Sequence, residues 1–534
     1  MTMKRKSLAA AILLMCALPL SKAQTINAAS CSASAVQAAF NAVTNSTTTV
    51  NIPAGTCTWM THVSLMIPSG NTNLSILGAG SLSTTGCGDV TVIVDGDTTD
   101  GNYLLQIGTN PTTSAHVRLA GFTLQGGGGG DKENGILAVG GFSHNFRLDH
   151  FHLNSSTYGT ANNPGQNAVI RLTNWIFGVM DHCVVEASAA IEVWMDEYNN
   201  NGNDGAGYAS WADNSNFGSG NAFFMENNTF NDNQGKQSEF MDDCYAGGRI
   251  VIRFNTMNND DVQTHPTGGA GQLRGCRTEE IYKNTFNGSN AAPTTNVFWD
   301  SSGTALVWGN SAPTGYINML NLHSMRISNS TYPQTAPPNG WGYCGTSFNG
   351  SGSGWDQNSS AGTGYRCLDE PGAGKSDLLQ NWFPTTCDVT SGGCTSKIYA
   401  GTWPHQALEP VYEWLNVWNT VPGYPGAEVS NSYAPALSEN VDWYQNNASF
   451  AGSSGIGSGT LAARPATCTA GVAYWATDQG NWNQSGTGAQ GELFVCSATN
   501  TWSLYYTPYT YPHPLAAGTA PAPPVSVQGT IVSQ

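Results

Sequence analysis

Short runs that alternate apolar and polar residues, each closed by glycine, asparagine or aspartate, recur through the first two-thirds of the chain. Thr49-Val50-Asn51-Ile52-Pro53-Ala54-Gly55 is one of them, a period-two strand ending in a turn. Just before it, Ser34 to Val43 carries apolar residues at helical spacing. A short amphipathic helix there would cover the end of a strand stack whose core and backbone are otherwise exposed. The pattern therefore predicts a strand repeat with an N-terminal capping helix.

The repeat can be aligned. Gly-Phe-Thr-Leu at 121–124, Asp-His-Phe-His-Leu at 149–153, Asp-His-Cys-Val-Val at 181–185, Asn-Asn-Thr-Phe at 227–230, Phe-Asn-Thr-Met at 254–257, Lys-Asn-Thr-Phe at 283–286 and Gly-Asn-Ser-Ala at 309–312 share one register. It stacks Phe122, Phe151, Cys183, Asn228, Asn255, Asn284 and Asn310 in a column, with steps of 29, 32, 45, 27, 29 and 26 residues. Most steps suit a coil of three short strands, and the step of 45 predicts a loop within Tyr198 to Gly220. Stacked inward asparagines can hydrogen-bond above and below, satisfying buried amides.

Together, the capping helix, the Asn-Ile-Pro-Ala-Gly strand, the Ile76-Leu77-Gly78-Ala79-Gly80 coil and the asparagine column resemble the pectate-lyase-like right-handed parallel β-helix superfamily. The resemblance spans about residues 30–330 and is to an architecture rather than to one enzyme family. It implies an all-β solenoid and, in many members, secreted action on polysaccharides.

Composition narrows the partners. With 63 Gly among 534 residues, the chain suits many tight turns. Nineteen basic against 36 acidic residues give a formal charge of −17, which argues against a nucleic-acid partner. Lys4, Arg5 and Lys6, the apolar run Leu8 to Leu20 and Ser21-Lys22-Ala23 read as a secretory signal over residues 1–23. No later run is long enough for a membrane span, so a secreted monomer is expected. Twelve of the 13 cysteines follow the signal, which favours disulfides: Cys31–Cys57, Cys344–Cys367, Cys387–Cys394, Cys468–Cys496 and, across one repeat, Cys244–Cys276.

Past Ser330 the pattern loosens. The β-helix domain is assigned to 24–464, an aromatic segment around Cys468 and Cys496 to 465–515, and a flexible tail to 516–534. Trp475, Trp482, Trp502, Tyr505, Tyr506, Tyr509 and Tyr511 either form a hairpin covering the solenoid's end or stack on sugars.

Ionisable residues are scarce but crowd into 236–288. In a coil, the strands at 190–197, 238–243, 262–265 and 296–300 would stack on one face. Parallel strands are spaced by about 4.8 Å, so Asp242 or Asp243, His265 and Asp300 are expected to share a groove. Glu192, Trp194, Asp196 and the insertion would form its wall, and a glycine-rich loop would lift Arg274 and Arg277 over it. Catalysis is assigned to His265, Arg274, Arg277, Asp242 and Asp243. Substrate binding falls to Trp194, Asp196, Glu239, Arg249, Trp299 and Asp300.

Two reactions fit these parts. In β-elimination from a uronate-containing polysaccharide, Arg274 or Arg277 neutralises the carboxylate and His265 or an arginine moves the proton. Glu239, Asp242 and Asp243 would then hold calcium, a combination that lyases of the superfamily commonly use. In hydrolysis, Asp196, Asp242 and Asp243 act as acid and base, similar to polygalacturonase-like hydrolases. His265-Pro266 departs from the glycine-flanked histidine of those enzymes, and no lysine fills a lyase slot. Lyase action on an acidic polysaccharide is placed first, hydrolysis second, and non-catalytic glycan binding third. Arg253, Lys283 and the repeated Asp149-His150 and Asp181-His182 read as structural, and Glu279 and Glu280 as partners of nearby arginines.

Overall fold

The computed structural model describes residues 23–97, 103–109, 115–126, 136–154, 170–187, 193–196, 210–211, 213–232, 238–239, 244, 247–264, 275–289, 295–323, 369–375, 406–419, 426–431 and 437–517. The chain is a right-handed parallel β-helix, as the repeat predicts. Among the described residues, a sheet of 15 strands, a sheet of ten and a sheet of five form its faces, all paired in parallel; we call them sheets 1, 2 and 3. From Ser238 onward a coil runs from a sheet 3 strand through sheet 1 to sheet 2, for instance Asp260–Gln263, Thr278–Tyr282 and Thr285–Asn287. Inward positions such as Ile250, Ile252, Ile281 and Val307 build one continuous apolar core. Its burial supplies the main stabilising term.

The helix Ala33–Asn41 closes the first coil. Ser32 caps it by accepting from the Ala35 amide, and Val36, Ala39 and Phe40 face the core. The disulfide Cys31–Cys57 and the Trp59 indole N–H donating to the Cys31 carbonyl at 2.8 Å hold it in place.

The corner between sheets 1 and 2 explains the asparagine column. Its first residue is left-handed in coil after coil, with φ of 55° at His182, 59° at Asn227, 56° at Phe254, 58° at Lys283 and 56° at Leu415. The next residue then points inward. Asn255 Nδ2 and its backbone N–H both donate to Asn284 Oδ1 at 3.0 Å, and the same amide group donates to the Met225 carbonyl at 2.9 Å. This pattern repeats from Asn228 through Asn310 and continues to Asn416, which lies 106 residues after Asn310 and which the repeat spacing does not reveal. Phe122 and Phe151 occupy the upstream positions, with rings 5.3 Å apart. His150 and His182 stack at 5.2 Å, in line with their structural reading.

Three expected disulfides are formed: Cys31–Cys57, Cys244–Cys276 and Cys468–Cys496. They fit an oxidising compartment. Cys87 and Cys183 are buried free thiols, whereas the cysteines at 344, 367, 387 and 394 lie outside the described residues. No described helix is long and apolar enough to cross a membrane.

The C-terminal aromatic segment does not cap an end. Its four strands, Ile456–Gly459, Ala473–Ala476, Glu492–Ala498 and Thr501–Tyr506, lie against the outer face of sheet 1. Trp475 and Trp482 pack on Trp308, which stacks between Tyr282 and Trp414. Arg253 is fully buried at this junction, paired with Glu226 and donating to the Tyr509 and Thr510 carbonyls. Glu280 takes the Tyr506 hydroxyl at 2.7 Å and the Gly218 amide at 2.8 Å, so its hydrogen bonds are not to arginines, while the Arg253 charge still acts on it. Burial pushes its carboxyl up to about 7. Glu279, one residue away, turns into the core between Ile250 and Ala305, where burial and the neighbouring Asp300 hold it protonated far above the usual range.

Two measurements check this account. Asn284→Ala removes the acceptor of the Asn255 backbone N–H and of one Asn255 Nδ2–H, and a donor to the Ile252 carbonyl, and should cost about 3 kcal/mol in denaturant unfolding. Glu280 binds its proton more tightly folded than unfolded, so its contribution is complete below about pH 4.5 and is lost as pH rises through about 7. Glu280→Gln should therefore match the wild type near pH 4 and gain on it by about 3 kcal/mol at pH 8. A constant difference between the two across that window would contradict the assignment.

Candidate functional site

Sheet 3 carries the strip of side chains with the chemistry closest to that expected. Its strands are Ser238–Glu239, Asp260–Gln263, Phe298–Asp300, Leu320–Leu322 and Val429–Asn431. Alternation fixes which residues face the core: Val262, Phe298, Leu320 and Val429 are cross-strand neighbours, all buried. The opposite face therefore presents Asp261 and Gln263, then Trp299, Asn321 and Ser430. Gln263, Trp299, Asn321 and Ser430 are in direct register. Glu239 stands level with Asp261 on the adjacent strand.

The strip is half-buried rather than open. Asp261 is almost wholly covered, while Gln263 and Trp299 are partly exposed. Gln263 Nε2 reaches Asp261 Oδ2 at 3.4 Å. The Trp299 ring lies 4.8 Å from that of His323, whose imidazole burial lowers to about 4, keeping it neutral in ordinary conditions. A carboxylate, an amide and an aromatic platform are thus aligned along successive coils. Such a set can hydrogen-bond sugar hydroxyls, stack on a pyranose ring and move a proton.

Several expected positions differ. Asp300 is on the right strand but faces inward and is fully buried, because Trp299 takes the outward position. Its Oδ1 accepts from the Ser302 amide at 3.2 Å, and burial raises its carboxyl well above the usual range. Thr264, rather than His265, continues the register opposite Asp300: the Gln263–Trp299 pair precedes them, and the Thr264 amide donates to the Trp299 carbonyl. Arg277 does not rise over a groove. It is fully buried, with Nη2 2.9 Å from Glu409 and the guanidinium 5.5 Å from the Trp211 ring centre.

Arg249 is buried as well, donating to Ser210 Oγ and to the Ser210 and Ser215 carbonyls. The physical reason is the insertion. Its described part, 210–211 and 213–220, folds over the outer side of sheet 1, where Trp211 reaches the Gly275 carbonyl and Phe217 packs on Tyr505 and Tyr506. It therefore covers these arginines instead of walling sheet 3.

Trp194 and Asp196 lie on the strand Val193–Asp196, paired with the first half of the long strand Ile170–Asp181, opposite Arg171 and Thr173. This strand belongs to the 15-strand sheet 1, whereas Ser238–Glu239, Asp260–Gln263 and Phe298–Asp300 belong to sheet 3. His265, Arg274, Asp242, Asp243 and Glu192 lie outside the described residues. Among the described residues, no three His, Cys, Asp or Glu side chains are grouped so that they could hold a metal ion.

Asp261, Gln263, Asn321, His323 and Ser430 were not singled out from the sequence. Asp260-Asp261 carried a signal, because it directly follows the Asn258-Asn259 turn at the point where the next strand must begin. Asn321 and Ser430 carried none, since only the completed ladder brings them together.

No protein-family model matches the chain, and no curated protein does. Among solved structures, the catalytic domain of a GH87 α-1,3-glucanase, in complex with tetrasaccharides, is similar at 11% identity. The alignment covers 80% of this chain and 68% of that one, with a TM-score of 0.29, a likeness too slight to carry activity or substrate across.

Proposed function

We propose that the chain is an exported enzyme that cleaves a polysaccharide along sheet 3 by hydrolysis. Asp261 and Glu239 supply the carboxyl pair, and Trp299 supplies the stacking surface. The observation that supports this is the outward strip Asp261, Gln263, Trp299, Asn321 and Ser430, with Glu239 level with Asp261. Two carboxyl groups on neighbouring strands meet the basic need of glycoside hydrolysis, one protonating the leaving oxygen and the other acting on the anomeric centre or on water. Gln263 and Asn321 would hold sugar hydroxyls beside them.

Hydrolysis now stands ahead of β-elimination. Elimination needs a cation beside the uronate carboxylate, and Arg277 and Arg249 are committed to Glu409 and to Ser210 rather than to the sheet 3 strip. His265, Arg274 and a calcium ion held by Glu239, Asp242 and Asp243 remain the elements of that second reaction.

The test incubates purified protein with neutral and uronate polysaccharides, with calcium and then with chelator, following reducing ends and unsaturated-uronate absorbance in parallel. New reducing ends without absorbance are expected. Asp261→Asn and Glu239→Gln should each lower that rate by about 100-fold or more, and Trp299→Ala should raise KM by about tenfold. Absorbance that appears with the reducing ends and vanishes with chelator or in His265→Ala would instead establish elimination. Silence in both channels with retained glycan binding would make the chain a binding protein.

A further inference from the structure

A second site lies away from sheet 3, at the corner between sheets 1 and 2. An open cleft of about 490 Å³ is lined by Thr85, His182, Asn227, Thr229, Thr256 and Tyr511, among others, a volume within the range of small-ligand sites. Three distant chain segments build it: the loop carrying Thr85, the corner and first strand positions of successive coils, and the C-terminal segment that returns along sheet 1.

Its walls are held in place from behind. His182 Nδ1 lies 2.8 Å from Asp181 Oδ2, and the same oxygen takes Arg147 at 2.8 Å. The Tyr511 hydroxyl donates to Asn227 Oδ1 at 2.6 Å, which leaves the Asn227 NH₂ for another acceptor. Tyr511 also stacks on Phe254 with ring centres 3.8 Å apart. Thr229 and Thr256 are cross-strand neighbours on sheet 2, and neither hydroxyl has a hydrogen bond within the protein among the described residues. The left-handed corner residues His182, Asn227 and Phe254 recur at the same place in successive coils, so the polar groups repeat along the axis at about 4.8 Å per coil.

We infer that this cleft binds a saccharide unit of a polysaccharide, through the hydroxyls of Thr229 and Thr256, the Asn227 amide and the free edge of the His182 ring. Sugars present several hydroxyls, each both donor and acceptor, along an extended chain. A rigid ladder of hydroxyl, amide and imidazole groups beside an aromatic pair matches that chemistry. The site would anchor the polymer while sheet 3 acts on it, yet binding here does not depend on the reaction at sheet 3.

The experiment is affinity electrophoresis of the full chain in gels containing dextran, laminarin, arabinoxylan, polygalacturonate or alginate. The wild type should be retarded in at least one gel. Thr229→Val/Thr256→Val, a near-isosteric change at two sheet positions, should weaken that retardation at least tenfold, as should His182→Gln, without changing release of reducing ends from short soluble oligosaccharides. Absence of wild-type retardation in every gel would overturn the inference. So would retardation that survives both variants, or that is lost only in Asp261→Asn, which would place all glycan binding on sheet 3. Thermal unfolding of each variant separates lost binding from lost folding.

Discussion

From Gly121 onward the described coils turn the corner between sheets 1 and 2 within two residues, and the turn buries backbone donors that strand pairing cannot reach. The asparagine ladder meets that constraint. Each Oδ1 accepts two N–H groups from the coil before it, while its amide nitrogen donates to a main-chain carbonyl. Because buried polar groups are costly without partners, the ladder sets the corner geometry, and the corner sets the register of the strands on either side. Sheet 3 inherits its alignment from the same stacking.

The outer face of sheet 1 shows a second consequence. Stacked coils repeat side chains in columns, and here one column runs Asp149, Asp181, Glu226, Arg253, Tyr282, Trp308, Trp414. Its charged half is neutralised by Arg118 and Arg147, two positions earlier on their strands, on the aspartates and by Arg253 on Glu226. Its aromatic half is covered by the C-terminal strands. A face with this composition is an internal junction, and the aromatics of the final segment are used in it. Their sugar-stacking potential is therefore limited to rings at its margin such as Tyr511.

The repeat, the cap and three disulfides were legible because each depends on neighbours in sequence or on a constant step. The asparagine column was read from Phe122 to Asn310, and it stopped short of Asn416 only because 106 residues intervene. Charged residues were harder to place. Arg277 looked functional because charge is scarce in this chain, but its partner Glu409 lies 132 residues away and could not be paired with it from spacing. Asp300 was misplaced by the parity of one strand: with Trp299 outward, period two sends Asp300 inward. The same parity brings Asp261 outward beside Gln263.

The three outer faces can be compared by what their columns still need. Sheet 1 is covered. Sheet 2 presents Asn231, Asn258 and Asn287, whose side-chain amides bond to one another at 2.7 and 2.9 Å along the coils, a column that satisfies itself beside the threonines at the corner. Sheet 3 presents a carboxylate, a glutamine, a tryptophan, an asparagine and a serine in mixed succession. Unlike a run of identical amides, this mixed column offers different groups on successive coils, with Gln263 bonded to Asp261 inside it, and that variety suits an extended polar ligand spanning several coils. A polysaccharide chain has that length and that alternation of hydroxyls and ring faces, and this is the physical ground on which we propose sheet 3 as the place of reaction.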